Sequence, residues 1–226
     1  VDVFLGGAVV KQVGHRQPRL GGDHVDRGAP EPVLGQDVER RLELFQSVCR
    51  AVHHAHRNLV VHRDLKPANV MVSSEGKVKI LDFGLAKLSG SLDLTKSGST
   101  LGTAPYMSPE QAEMTALDVD TRTDVYSLGV LLYELLAGET PFDRTRLRSA
   151  AYNEILRIIR EEEPPRPSTR ISTLAGETAT RISAHRNTDP SRLSHLLQGE
   201  LDWIVIKALE KDRTRRYDTA NSLARD

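Results

Sequence analysis

The sequence predicts an α+β fold dominated by helices, with one short β-hairpin placed among them. Apolar residues recur every three or four positions over residues 37–58, as in an amphipathic helix with Asp37 as its N-cap. Two β-branched runs, 70–72 and 78–81, predict the hairpin because a turn containing Ser and Gly separates them. The run 125–136 is apolar nearly all round, which predicts a helix buried at the centre of a helical domain.

The remaining segments differ in how much order their sequences favour. Residues 1–36 are rich in Gly and Pro and keep no period, so they are interpreted as an irregular segment. Residues 147–163 predict another amphipathic helix, and helical periodicity resumes over 201–226. Between these two stretches, residues 164–199 carry many Ser, Thr and Arg and few acids, which favours a long, weakly ordered insertion.

Composition excludes several classes of protein. The chain has 226 residues, 38% of them hydrophobic and 27% charged, which suits one large globular domain or two small ones. Lys plus Arg and Asp plus Glu both number 31, so there is no basic surplus for binding nucleic acid. The lone Cys49 can form neither an internal disulfide nor a Cys-based zinc site, which favours a reducing, cytoplasmic location. No run of about 20 apolar residues predicts a membrane segment in this chain.

Oxygen-bearing side chains are concentrated around the predicted hairpin. H-R-D-L-K-P-A-N at 62–69 precedes it, and D-F-G at 82–84 follows it. This arrangement would bring Asp64, Asn69 and Asp82 together at the mouths of two adjacent strands. Carboxylate and amide oxygens are the hard ligands that Mg²⁺ prefers, and Lys66 could neutralise charge on a transferring phosphate.

These motifs, with two others in order, resemble those of protein kinases of the bacterial eukaryote-like Ser/Thr type. G-T-A-P-Y-M-S-P-E at 102–110 is similar to the end of an activation segment, and T-D-V-Y-S-L-G at 123–129 contains the family's buried Asp. The resemblance covers residues 37–226 and implies the large, mainly helical lobe of a protein-kinase-like fold, with an activation segment at 82–110. Residues 1–36 do not resemble the small lobe.

The resemblance implies an enzyme that uses ATP and Mg²⁺ to phosphorylate Ser and Thr in protein substrates. Asp64 would orient the acceptor hydroxyl or accept its proton, and Lys66 would steady the transferring phosphoryl group. Thr103 would bridge to both residues, and together with Lys66 it favours Ser/Thr over Tyr as the acceptor. Parent proteins of this type often continue into further C-terminal domains.

The nucleotide and its metal have their own implied contacts. Asn69 and Asp82 would hold the Mg²⁺ ions, while Lys66 would contact the phosphates. Met71 would form an apolar floor under the adenine ring. Plain core packing is an alternative role for Met71, and the two roles are compatible.

The resemblance also implies a regulatory switch. Arg63 precedes the catalytic Asp, where the family pairs an Arg with a phosphorylated residue of the activation segment. The alternative is that this Ser/Thr-rich loop is merely flexible. The candidate phosphate acceptors are Thr95, Ser97, Ser99 and Thr100.

Other matched residues have implied structural roles. His62 would brace the metal-binding loop that contains Phe83. Asp124 would anchor the catalytic loop from within the core. Glu110 would form a buried ion pair with an Arg near the end of the chain, and Arg216 matches that position best.

Two hypotheses of different classes remain. No G-x-G-x-x-G motif occurs here, and Lys11 lies too near His62 in the chain to be the phosphate-anchoring Lys of a small lobe. The intact catalytic and metal-binding residues favour a Ser/Thr kinase, whereas the missing small lobe favours a catalytically silent kinase lobe that acts as a binding or scaffold module. A small-molecule phosphotransferase with the same catalytic loop is disfavoured by S-P-E at 108–110 and by Asp124.

Overall fold

The computed structural model describes residues 4–5, 8–9, 36–73, 76–83, 102–113, 119–174 and 189–226. Within them the chain is mainly helical, with two small antiparallel sheets, which confirms the predicted α+β class. The sheets pair β1 (Phe4–Leu5) with β2 (Ala8–Val9) and β3 (Val70–Val72) with β4 (Val78–Ile80). The helices are α1 (Gln36–Arg57), α2 (Pro109–Ala112), α3 (Thr121–Ala137), α4 (Arg144–Ser149), α5 (Tyr152–Glu161), α6 (Pro167–Thr173), α7 (Pro190–Leu197), α8 (Glu200–Ala208) and α9 (Ala220–Arg225).

The 17-residue helix α3 forms the centre of the fold. Asp120 caps its start by accepting a hydrogen bond from the Arg122 amide, and Gly138 ends it with a φ of +81°. Every residue from 123 to 137 is buried, so the central buried helix predicted from the apolar run is confirmed. Helices α1, α6, α8 and α9 pack around it. None of the helices described here is both long and apolar enough to cross a membrane.

The predicted hairpin is confirmed as β3 and β4, and it brings its two flanking segments together. Val70 pairs with Ile80, and Val72 pairs with Val78. The Leu81 amide then donates to the Asn69 carbonyl at 2.8 Å, which extends the ladder past the last pair. Residues 62–69 and 81–83 therefore lie at the same end of the hairpin.

Helix α1 ends in two characteristic backbone hydrogen bonds. The Val60 amide donates to the Ala55 carbonyl, and the Leu59 amide donates to the His56 carbonyl, both at 3.0 Å. This pair of bonds defines a Schellman motif, in which the residue at the position of Leu59 adopts a left-handed conformation. Leu59 has a φ of +60° and is 93% exposed. A leucine thus occupies a position that glycine fills at lower cost.

The prediction of one helix over 147–163 is wrong, because the chain forms α4 and α5 with a break between them. Asp143 starts α4 early by accepting from the Arg146 amide at 2.7 Å. The Ser149 hydroxyl donates back to the Thr145 and Arg146 carbonyls, each at 3.1 Å, which competes with continuation of the helix. Ala150 and Ala151 are extended and separate the two helices.

The expected weak order of 164–199 is wrong at both ends of that stretch. Helices α6 and α7 lie there, each with Pro at its first position, and they pack against one another. Ile171, Leu193 and Leu197 are at most 1% exposed, so burial of these few apolar side chains stabilises helices in a polar stretch. Residues 175–188 lie outside the described part of the chain.

Helix α1 begins at Gln36, so Asp37 lies inside the helix and is not its N-cap.

Candidate active site

Asp64 lies at the centre of a compact polar cluster. Lys66 Nζ donates to Asp64 Oδ2 and to Thr103 Oγ1, in each case at 2.9 Å. Asn69 Nδ2 donates to the Asp64 carbonyl oxygen at 2.8 Å and lies 3.4 Å from Asp64 Oδ2. The structure therefore brings together four of the predicted site residues, from two segments that are distant in the sequence.

The second carboxylate oxygen of Asp64, Oδ1, takes no part in these hydrogen bonds. Asp64 Oδ1 is buried and has no hydrogen-bond partner among the described residues. A buried acceptor without a donor is costly, so this oxygen keeps an unused capacity to accept a hydrogen bond. The Lys66 ammonium pairs with the other oxygen, Oδ2, at 2.9 Å and balances the negative charge of the carboxylate.

A tight turn positions the cluster. Pro67 fixes its own φ and begins the 3₁₀ helix Pro67–Asn69, in which the Asn69 amide donates to the Lys66 carbonyl at 2.9 Å. The turn reverses the chain before β3, so the Asn69 side chain returns to Asp64. Met71 follows on β3 opposite Lys79 and is half-buried, on the face opposite to the buried Val70.

The backbone before Asp64 is held by Asp124, which projects from α3. Asp124 Oδ2 accepts from the His62 amide and Oδ1 accepts from the Arg63 amide, both at 2.8 Å. His56 Nε2 contacts the same Oδ2 at 2.8 Å, and this partner was not among the predicted site residues. Arg63 has a φ of +66°, so these hydrogen bonds stabilise a backbone conformation that is unfavourable for a residue with a Cβ atom.

The residue before Asp82, Leu81, is hydrogen-bonded to residues of the 62–69 segment. His62 Nε2 lies 2.8 Å from the carbonyl oxygen of Leu81, and the Leu81 amide is bonded to Asn69. Asp82 comes next, with a φ of +56° and an exposed side chain. In the described part of the chain, no basic side chain pairs with its carboxylate. The rings of His62 and Phe83 lie beside each other, with centroids 4.9 Å apart.

The donor set suits a divalent cation that is held partly by phosphate and water. Asn69 donates through its amide nitrogen to Asp64, so its amide oxygen, together with the exposed carboxylate of Asp82, would be the group that holds such an ion. Among the residues that the structure describes, no group of three or more His, Cys, Asp or Glu could hold a metal ion.

The comparison with known sequences agrees with this geometry. Residues 33–226 match the family model described as the protein kinase domain. The chain belongs to the protein kinase family. The resemblance seen in the sequence is thereby confirmed, and protein kinases in general use ATP and a divalent metal ion.

Several bacterial Ser/Thr kinases are similar to this kinase lobe. Serine/threonine-protein kinase PknB of Mycobacterium tuberculosis is 38% identical over 191 residues, which cover 83% of this chain and 26% of that protein. PknB of Mycobacterium leprae is 36% identical over 189 residues, with coverage of 83% and 26%. The probable serine/threonine-protein kinase SCO3848 of Streptomyces coelicolor is 38% identical over 190 residues, with coverage of 83% and 24%. The chain thus spans about a quarter of the length of these relatives.

The start of α2 is tied to the C-terminal part of the described chain. Arg216 Nη1 and Nη2 donate to Glu110 Oε1 and Oε2, both at 2.8 Å, and Thr123 Oγ1 donates to Oε1 at the same distance. Burial alone would raise the pKa of Glu110, but hydrogen bonds and the charge of Arg216 outweigh it and hold that pKa below its ordinary value. The proposed phosphate acceptors, at 95, 97, 99 and 100, lie outside the described residues.

A second buried acid, Glu134, contacts the residues before α2 and was not among the predicted site residues. The Tyr106 hydroxyl donates to Glu134 on α3, while Arg144 Nη2 donates to Glu134 Oε1 at 2.5 Å and to the Tyr106 hydroxyl at 2.6 Å. Burial raises the pKa of Glu134 to about 7, although Arg144 and Tyr106 both lower it. Glu134 is a single acid within an apolar run, so its sequence offered no signal of these partners.

Proposed function

We propose that this chain is the large lobe of a Ser/Thr protein kinase that transfers the γ-phosphoryl group of ATP to protein hydroxyls. The observation that carries the proposal is the contact of Lys66 with both Asp64 and Thr103, beside a buried Asp64 oxygen that lacks a donor. Membership of the protein kinase family and similarity to proteins named Ser/Thr kinases support the same reaction.

Each residue of the cluster has a role in the proposed step. Asp64 orients the acceptor hydroxyl and takes its proton as the hydroxyl oxygen bonds to the γ-phosphorus. The bond from that phosphorus to the β–γ bridging oxygen breaks, and ADP leaves. Lys66 lies 2.9 Å from Asp64, where its ammonium group offsets charge on the transferring phosphoryl group. Thr103 holds Lys66 in that position and favours Ser or Thr as the acceptor.

We assign the divalent cation as Mg²⁺, held by the Asn69 amide oxygen and the Asp82 carboxylate. Mg²⁺ at such sites neutralises phosphate oxygens and keeps part of its water shell. Met71, on the strand that follows Asn69, is the proposed apolar contact of the adenine ring.

The proposal extends to regulation, partners and location. Arg63 would pair with a phosphorylated residue among Thr95, Ser97, Ser99 and Thr100, which would order the activation segment. The partners are proteins that offer Ser or Thr. Cys49 is buried as a free thiol, which supports a reducing compartment such as the cytoplasm.

Calorimetry and phosphoryl transfer to a Ser/Thr peptide library test the proposal together. The Asp64→Asn variant should retain Mg-ATP binding and lose about 10²–10⁴-fold in turnover. Asp82→Ala should lose Mg-ATP binding, and the exposed Asp218→Asn should behave as the wild type. If the wild-type chain neither binds Mg-ATP nor transfers phosphate, the proposal fails in favour of a silent lobe that serves as a scaffold.

A further inference from the structure

The side chain of Gln111 joins two segments that are far apart in the sequence. Gln111 is the third residue of α2, and its Nε2 donates to the Arg63 carbonyl at 2.7 Å. Its Oε1 accepts from the Ser108 amide at 3.1 Å. One side chain thus links the start of α2 to the residue immediately before Asp64.

The hydrogen bond to Arg63 acts on a particular peptide plane. The carbonyl of Arg63 and the amide of Asp64 belong to the same planar peptide group. Gln111 holds the oxygen end of that plane, and His62 Nδ1 lies 3.2 Å from the Asp64 nitrogen at its other end. The orientation of this plane sets the direction in which the Asp64 side chain leaves the backbone.

This plane needs outside support because the backbone there is strained. Arg63 has a φ of +66°, and such conformations persist where surrounding contacts hold them. Asp124 fixes the Arg63 amide from the core side. The carbonyl of Arg63 has Gln111 as its donor, on the side where the activation segment ends.

Glutamine is chemically suited to both contacts. In a capping box the third helical residue only has to accept a hydrogen bond from the N-cap amide, which Glu does as well as Gln. Gln111 forms that box with Ser108 and in addition donates to Arg63, which an ionised Glu cannot do.

We propose that Gln111 is a positioning residue for Asp64, which couples the end of the activation segment to the catalytic loop. This inference rests on the proposed kinase function. It predicts that loss of the donor at 111 impairs turnover while nucleotide binding and the cap of α2 persist.

The test is Gln111→Glu in the full chain, because Glu preserves the capping box and removes the donor. The matched control is Gln46→Glu, which makes the same change on an exposed position of α1. For Gln111→Glu we expect kcat to fall by about 10–100-fold, with the KM for ATP within about twofold of the wild type. We also expect faster amide hydrogen exchange at Asp64, with the midpoint of unfolding near that of the wild type.

Unchanged kcat and unchanged exchange at Asp64 in Gln111→Glu would overturn the proposal, as would an equal loss of kcat in Gln46→Glu. If Gln111→Glu does not fold, Gln111→Met removes the donor together with the capping acceptor and adds no charge, and kcat and amide exchange at Asp64 are then the readouts. If the wild-type chain transfers no phosphate, the proposed function fails, and exchange at Asp64 alone decides whether Gln111 positions it.

Discussion

Arg216 and Glu110 form a buried, two-pronged ion pair although they lie 106 positions apart in the chain. The guanidinium group also donates to the Glu210 and Lys211 carbonyls, at 2.7 and 3.0 Å, and its side chain is fully buried. The pair therefore fastens the start of α2 to the segment that precedes α9. Its polar atoms are satisfied on both sides, which is the condition under which a buried pair is tolerated.

Breaking this pair should cost far more stability than the pair itself contributes. We expect Arg216→Met to lower the free energy of unfolding by about 3–5 kcal/mol, because Glu110 is left buried without its cation. Urea unfolding provides the measurement, and the exposed neighbour Arg215→Met should change stability little. The double variant Arg216→Met with Glu110→Gln should recover part of the loss, and a double variant as unstable as the sum of both single variants would contradict this account.

Leu59 offers a stabilising substitution at the end of α1. Its left-handed conformation carries a cost for any residue with a Cβ atom, and its exposed side chain gains little from burial. Leu59→Gly should therefore raise the free energy of unfolding by about 1 kcal/mol. Leu59→Ala keeps the Cβ atom and serves as the control, so an equal gain in both variants would show that the backbone is not the cause.

Gly129 permits close contact between α3 and α8. A Cβ atom at this position would lie 2.8 Å from the Ala208 Cβ and 3.1 Å from Leu209 Cδ2. Gly129→Ala should therefore lower the free energy of unfolding by about 1–3 kcal/mol despite the higher helix propensity of Ala. Gly102→Ala, which has no atom within 4 Å, is the control. If thermal unfolding shows that Gly129→Ala is as stable as the wild type or more stable, the close contact is refuted.

Glu134 should give stability a specific dependence on pH. Its pKa of about 7 in the folded chain exceeds its ordinary 4.5, so the folded state binds the extra proton between these values. The free energy of unfolding should therefore fall as pH rises from about 5 to 8, by about 3 kcal/mol at most. Burial, and then the charge of Glu134, raise the pKa of the Tyr106 hydroxyl, so this partner does not titrate in the same range.

The measurement compares the wild type with Glu134→Gln at pH 5 and at pH 8. The variant lacks the titrating group, so its stability should change less with pH than that of the wild type. Glu161→Gln, which lies on an exposed face of α5, should keep the wild-type dependence. A wild type and Glu134→Gln with parallel pH profiles would contradict the assignment.

The sequence was sufficient to predict those site residues that lie close together along the chain. Asp64, Lys66 and Asn69 are near neighbours in the sequence, so spacing alone predicts that their side chains meet. The hairpin that returns the chain to Asp82 was predictable from its two β-branched runs. The central helix α3 was predictable for a similar reason, because a run that is apolar on every side has only one suitable environment.

Contacts between residues that are far apart in the sequence were not predictable in this way. Gln111 reaches Arg63 across 48 positions, and His56 reaches Asp124 across 68. Both are polar residues on helices, where solvent-facing and buried polar side chains look the same in sequence. The helices within 164–199 were missed because only a few apolar residues, such as Ile171 and Leu193, anchor them.

From Thr123 to Ala137, helix α3 has no side that faces solvent, and this determines how its amide protons exchange with water. Water can reach the amide protons of such a helix only when the elements around it separate, so local fraying cannot expose them. Their slowest deuterium uptake should therefore report the opening of the entire lobe. Since the Asp124 carboxylate belongs to the same helix, the backbone geometry of His62 and Arg63 should persist for as long as those protons remain protected.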